Sequence, residues 1–247
     1  MLKRIEINGL TLHIFAMAAM LLDHAWATIV PGNQWMNFVG RLAFPIFAFM
    51  AAEGYYYTSD FNKYIKRLLV FAVISEIPFN MMNSGTISFP FHQNVLWTFV
   101  IALLAIRWIE NIKKGDASSL RKSVVIILVI LGAFLIGTAT MVDYGGAGIL
   151  TVIMFYYFRG REPIDFARQA FGLFIINFFI LQNMDVPLEI FGLEFFFPTQ
   201  GFAIFALIPI WFYKGKQGPH NKVIQYVCYG FYPVHILVLS LMAMGGF

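Results

Sequence analysis

The sequence predicts an all-α protein, a polytopic integral membrane bundle of about nine transmembrane helices with its N-terminus inside and its C-terminus outside. Three observations predict it. The 247 residues are 60% hydrophobic, 18% aromatic and only 12% charged, with a mean hydropathy of +0.73, whereas soluble chains carry about a quarter charged residues. Apolar segments of membrane-spanning length recur from end to end. Lys and Arg gather in alternate loops, as the positive-inside rule requires. Thirty Lys, Arg, Asp and Glu are too few to cover a soluble globule of this size. A cytosolic enzyme, a nucleic-acid binder and a disordered chain are therefore excluded. The pI of 9.1 is a sign of sidedness rather than of nucleic-acid affinity. The single cysteine, Cys228, excludes an internal disulfide and a cysteine-based metal site.

The candidate spans are 9–30, 36–57, 65–82, 94–109, 123–141, 146–158, 167–181, 201–213 and 224–244, in one domain covering 1–247. The sixth to eighth run short. The first segment follows Lys3 and Arg4, and its Ala25-Trp26-Ala27 imitates a signal-peptide cleavage site; its core is long for a signal, and cleavage would discard Asp23 and His24. The segments at 36–57 and 65–82 contain Pro45 and Pro78. Loop charges test the count independently. Lys3 and Arg4; Lys63, Lys66 and Arg67; Arg107, Lys113, Lys114, Arg121 and Lys122; Arg159, Arg161 and Arg168; and Lys214, Lys216 and Lys222 all fall on one side. Loops 31–35, 83–93, 142–145 and 182–200 have no Lys or Arg. Only Arg41 breaks the alternation. Glu194-Phe195-Phe196-Phe197-Pro198 in the last of these loops suggests an element lying on the outer membrane surface. His220, in a basic inner loop, carries no signal.

An ionisable side chain in the hydrocarbon costs about 2.5–3.5 kcal/mol on insertion scales, so each one present needs a reason. With a rise of about 1.5 Å per residue, Asp23, His24, Arg41, Asp143 and His235 make an outer polar group. His13 and Glu53 make an inner one, with Glu76 near the middle. A cleft joining the two levels would connect the sides of the membrane. His13, Met17, Met20 and His24 share one helix stripe, as do Gln225, Cys228, Tyr232 and His235, so two histidine faces can meet. Adjacent Asp23 and His24 diverge by about 100° and are not expected to bond to each other. Structural readings stand beside these: helix-to-helix hydrogen bonds for isolated Asn, Thr or His, an ion pair of Arg41 with Asp23 or Asp143, and a protonated Glu53 bonded to backbone.

Two function classes fit. A membrane-embedded group-transfer enzyme needs a neutral histidine base and donors for developing negative charge; His24 or His235 suits the first role, and Arg41, Asn94 and Tyr232 the second. A secondary transporter would use intramembrane carboxylates, Glu53 and Glu76, with broken helices and matching halves; no matching halves are visible. No metal-ligand spacing appears, and no metal is expected.

The chain carries, in order, Asp23-His24; Arg41-Leu-Ala-Phe-Pro-Ile-Phe-Ala-Phe49 leading to Glu53-Gly54; Ser75-Glu-Ile-Pro-Phe79; His92-Gln-Asn-Val95 with Thr98; Asp143-Tyr-Gly145 with Gly148; and Phe231-Tyr-Pro-Val-His235. Taken together, these motifs resemble the TraX family of polytopic membrane proteins and, more distantly, the transmembrane acyltransferase superfamily. Asn80 and Lys214-Gly215 depart from that pattern, which expects Asp and Asn-Gly. The family's founding function is N-acetylation of conjugative pilin. The resemblance therefore implies acyl transfer in the cytoplasmic membrane, from cytoplasmic acetyl-CoA to an amine or hydroxyl on a peptide or glycan acceptor. It implies His24 as base, with Asp23, Arg41 and Asp143 beside it as catalytic residues. Glu53, Glu76, His92, Asn94, Tyr144, Tyr232 and His235 are the expected substrate residues, and Lys66, Arg67 and Lys214 the expected partners of the coenzyme phosphates. The bilayer is the other expected partner; the sequence does not speak to oligomeric state.

Overall fold

The computed structural model describes residues 7–181, 185–190, 192–219 and 221–245; Lys3, Arg4 and His220 lie outside the described residues. Helix α1 (Gly9–Thr28) begins where the Asn8 side chain accepts a hydrogen bond from the Thr11 backbone N–H at 2.9 Å. Such a cap satisfies one of the helix's orphan donors. The second expected segment is a correction: it forms two helices, α2 (Gln34–Gly40) and α3 (Ala43–Tyr57), broken at Arg41 and Leu42. Gly40 lies against α1 so closely that a Cβ there would sit 2.3 Å from the Asp23 Cβ. Pro45 is the third residue of α3, where a missing N–H costs no helical bond.

Helix α4 (Phe61–Ser84) is capped by Asp60 and closed by Gly85 in the left-handed conformation at φ +66°, which glycine adopts without penalty. Helices α5 (Val95–Lys114), α6 (Ser119–Ala139) and α7 (Gly145–Tyr157) follow, the first two capped by Asn94 and Ser118. Helix α8 (Pro163–Ile175) starts in a capping box of Glu162 and Asp165 and continues into a π turn, Ile176–Ile180. A further correction to the all-α expectation is an antiparallel hairpin, β1 (Asp185–Ile190) and β2 (Leu193–Pro198), with Asp185 opposite Pro198 and Ile190 opposite Leu193. Its aromatic run favours extended backbone. A 3₁₀ segment (Thr199–Ala206) then leads into α9 (Leu207–Phe212), and α10 (Lys222–Met244) contains Pro233.

Among the described residues, six helical stretches are long and apolar enough to cross a membrane: α1, α2 with α3, α5, α6, α8 with its π turn, and α10. The other three expected spans fall short for separate reasons. Helix α4 is long but carries Lys63, Lys66, Arg67, Ser75, Glu76, Asn80 and Asn83, while α7 and the 199–212 stretch are short. Helix α7 is the axis of the bundle, buried from Gly146 to Met154 except at Leu150 and packed by α3, α5 and α6. Ile149 and Phe155 on α7, and Ile46, Leu103 and Ile106 around it, are fully buried. Val70, Val73, Ile74 and Ile77 on α4 and Val124, Ile127, Leu128, Leu131 and Leu135 on α6 are exposed. An outward apolar stripe of this kind suits lipid as solvent. Helix α1 packs on α2, α3 and α10, and α4 on α5 and α10, which sets the two histidine-bearing helices side by side.

Candidate functional site

The histidine faces of α1 and α10 meet. His24 Nδ1 lies 2.7 Å from His235 Nε2, and His235 Nδ1 lies 2.6 Å from the Phe231 carbonyl oxygen. A carbonyl only accepts, so His235 carries its proton on Nδ1 and its Nε2 is the lone-pair atom when the ring is neutral. His24 must then donate from Nδ1, which leaves His24 Nε2 as the basic nitrogen of a neutral pair. The rings lie end to end and nearly coplanar, with centroids 5.0 Å apart and an interplanar angle of 4°, as an in-plane N–H···N bond requires, and Tyr232 leans on both.

Asp23, one residue earlier, points elsewhere, as the 100° offset requires. Arg41 Nη2 donates to both its oxygens at 2.5 and 2.6 Å, and Asn37 Nδ2 to Oδ1 at 2.8 Å. Arg41 Nη1 reaches Gln200 Oε1 at 3.3 Å, and Gln200 Nε2 donates to Asn177 Oδ1 at 3.1 Å. The one cation on the outer level is thus neutralised by the structural pair weighed from sequence. Among the described residues its Nε is buried without a protein partner, so one donor is left over. Asp143 and Tyr144 lie within electrostatic reach of the guanidinium. Tyr144 has φ +62°, a left-handed conformation that is costly for a non-glycine residue, and its ring stacks on Phe44 at 3.8 Å. Asp143 lies 3.6 Å from His92 Nε2, and its carbonyl accepts from Thr98 Oγ1 at 2.6 Å. In the loop before α5, the interaction with Asp143 raises the His92 pKa above its ordinary value of 6.5, against partial burial.

Two expected residues prove to be braces. Asn94 is fully buried; its Nδ2 donates to Glu76 Oε1 at 2.5 Å and to the Ala72 carbonyl at 2.8 Å, and its Oδ1 accepts from Leu96 N–H. With every polar atom of its side chain engaged, Asn94 is no donor for a reacting carbonyl. Glu76 Oε1 also accepts from Trp97 Nε1 at 2.8 Å. Among the described residues Glu53 has no backbone partner: Arg159 Nε donates to it at 2.5 Å, and Arg159 lies over the rings of Tyr56 and Tyr57.

A cavity of about 650 Å³ runs from the inner level toward the outer one, whose Asp23, His24, Arg41, Asp143 and His235 do not line it. It opens beside Asp60, Lys63 and Gln217, passes Glu53, Arg67 and His13, and reaches Met20, Val95 and Tyr232 next to the histidine pair. A second cavity of about 440 Å³, lined by Arg159, Arg161 and Lys214, shares Phe49, Glu53, Tyr57 and Tyr213 with the first. Of the expected phosphate partners, Arg67 and Lys214 line these cavities, whereas Lys66 is exposed and lines neither. Sequence reasoning passed over Asn37, Trp97, Asn177 and Gln200, and gave Arg159 a place only among the inner cations. Asn37 stands one helical turn before Arg41, a spacing that would have shown it; the others are joined to the site by long-range packing alone.

The profile of one family, described as TraX protein, matches residues 8–243. The chain belongs to the TraX family. Its curated relatives include a probable fimbrial assembly protein FimC, serogroup H1, of Dichelobacter nodosus, 29% identical over 99% of both chains. A protein TraX of Escherichia coli is 28% identical over 93% of this chain and 84% of its own length. Another, of Escherichia coli strain K12, is 30% identical over 61% of this chain and 56% of its own. No solved structure matches. Membership in the family agrees with a membrane protein of several apolar helices, and the motifs that carry the resemblance converge on the histidine pair and the cavity beneath it.

Proposed function

We propose that this TraX-family protein is a membrane-embedded acyltransferase that moves an acetyl group from acetyl-CoA to an amine or hydroxyl acceptor. The observation that carries the reading is a tautomer-fixed histidine pair at the end of a cleft whose mouth, on the opposite side, is basic. The charge alternation supports a cytoplasmic basic side, where coenzyme A is available, and with it a place in the inner membrane. The coenzyme's phosphates would meet Lys63, Arg67, Arg159, Arg161 and Lys214, and its slender arm would run up the cavity toward Tyr232. The fimbrial name of the Dichelobacter relative favours a peptide amine, as on a pilin-like chain, over a glycan.

In the reaction, His24 Nε2 takes the proton of the acceptor as its nitrogen or oxygen bonds to the acyl carbon. His235 keeps the His24 Nδ1–H in place, a positioning role that Asp23 cannot fill while it holds Arg41. The tetrahedral adduct places negative charge on the former carbonyl oxygen, for which Tyr232 is the donor that lines the cavity. The carbon–sulfur bond then breaks, and the departing thiolate receives the proton from His24. Asp143 and His92 border the acceptor side. The transporter reading has no comparable support, since Glu53 is ion-paired to Arg159 and Glu76 is held by Asn94 and Trp97.

The test is incubation of the purified protein with labelled acetyl-CoA and pilin-like peptides carrying a free N-terminus. The wild type is expected to label the peptide, and His24→Ala to lose at least about 10²-fold in rate with folding intact, the usual scale of a general base. Full activity in His24→Ala would refute the assignment. Solute uptake into proteoliposomes without acetyl-CoA turnover would favour the transporter.

A further inference from the structure

Two polar side chains in the larger cavity have no role in the chemistry above. His13 on α1 and Gln225 on α10 both line it, and among the described residues neither side chain has a hydrogen-bond partner. His13 is half-buried with its ring edge-on to Phe47 at 5.5 Å, held in orientation but not satisfied. A ring nitrogen and a carboxamide left unpaired in a largely apolar cleft forgo hydrogen bonds that a ligand can supply.

Their levels coincide. Helices α1 and α10 run in the same direction: α1 begins where Gly9 and Leu10 N–H bond the Lys216 and Gln217 carbonyls, close to the start of α10, and the helices meet again at His24 and His235. His13 lies eleven residues before His24, about 16 Å along the axis and about 20° round from it, hence on the same face. Gln225 lies ten residues before His235, about 15 Å along its helix. The walls between are Met17, Met20, Phe47, Leu96 and Phe99, suited to methylene and methyl groups.

The thioester arm of coenzyme A has a matching spacing. An extended chain advances about 1.2 Å per bond, so the hydroxyl-bearing carbon of the pantoyl group, nine bonds from the sulfur, lies about 11 Å away. The acyl carbon and the acceptor atom between sulfur and base add roughly 4–5 Å. With the acyl carbon poised below His24, the hydroxyl and adjacent amide of the pantoyl group fall at the level of His13 and Gln225.

We propose that His13 and Gln225 form a subsite for the pantoyl end of the donor, so that α1 and α10 act as a ruler between that end and the base. The proposal rests on the acyl-transfer reading. Imidazole and carboxamide each donate and accept, matching a hydroxyl and an amide, and the geminal methyl groups face the apolar wall.

The test is equilibrium binding to the full chain in lipid nanodiscs, using acetyl-CoA, S-acetylpantetheine and adenosine 3′,5′-bisphosphate, the last being a fragment of the nucleotide half without the arm. His13→Leu and Gln225→Leu are each expected to weaken acetyl-CoA and S-acetylpantetheine by about tenfold, the worth of one hydrogen bond. Binding of the bisphosphate should not change, and His13→Gln should retain most of the affinity. Wild-type affinity for acetyl-CoA in both Leu variants would overturn the subsite while leaving the acyl-donor reading intact, as would an equal loss for the armless bisphosphate. Failure of the wild type to bind acetyl-CoA would overturn the donor reading and the subsite with it.

Discussion

Replacing Arg41 with Met tests whether the outer cation is a structural charge with one donor to spare. The Asp23 and Arg41 side chains are only 15% and 13% exposed. Without the guanidinium, Asp23 keeps the single amide bond from Asn37, and a buried carboxylate that loses its ion-pair partner costs about 3–5 kcal/mol. Gln200 Oε1 loses the Arg41 bond as well, which adds about 1 kcal/mol. At about 2–4 °C per kcal/mol for a chain of this size, Arg41→Met should lower the melting temperature in detergent by roughly 8–24 °C. Asp23→Leu should also destabilise, because the arginine is then the unpaired ion. The double variant, Asp23→Leu with Arg41→Met, replaces the pair by apolar groups and should recover to within about 2 kcal/mol of the wild type. A thermal-shift series on the four proteins measures the coupling. Additive losses in the double variant, or a change under about 1 kcal/mol in Arg41→Met, would refute the pairing argument.

His235→Phe keeps an aromatic ring at that position but removes the acceptor for His24 Nδ1–H; it should reduce acetyl-transfer kcat by between about tenfold and 10⁴-fold, the cost of a wrong tautomer. His235→Gln, able to accept from His24 and donate to the Phe231 carbonyl, should restore part of it, and equal losses in the two variants would point to packing alone. Gly40→Ala must push a methyl into Asp23 and should cost about 1–3 kcal/mol by overpacking. Gly132→Ala, whose Cβ would meet nothing within 4 Å, is the control; equal thermostability for the two would refute the close approach of α1 and α2. For His92 the folded pKa is raised above 6.5, so its contribution is fully present below pH 6.5 and fades as pH rises through the raised value. The melting-temperature difference between wild type and His92→Gln should therefore shrink with rising pH, and a constant difference would rule the His92–Asp143 pair out as its source.

The fold class and the polar levels were legible because they rest on quantities that add along the chain. The cost of charge in lipid, the length needed to cross it and the alternation of Lys and Arg can be read without knowing any neighbour. The same arithmetic marked Arg41 as the exception, put His24 and His235 on one level and separated Asp23 from His24. Helix breaks were less legible: Pro45 was visible, but the break at Arg41 and Leu42 depends on how closely Gly40 approaches Asp23. Asn94 read as a donor because its cap and its bond to Glu76 involve backbone and a helix that the local pattern does not place.

Which residues pair was decided by the tertiary structure. His24 meets a partner 211 positions away, Arg159 finds Glu53 at a distance of 106 positions, and Gln200 joins Arg41 across 159. Each pairing depends on the rotation and register of helices packed side by side, which the hydrophobic stripe of a single helix leaves free within a wide arc. Sequence sets how deep a side chain lies because depth follows the rise along one helix. What it touches depends on several helices together, so the tautomer of the histidine pair and the cleft beneath it exist only in the assembled bundle.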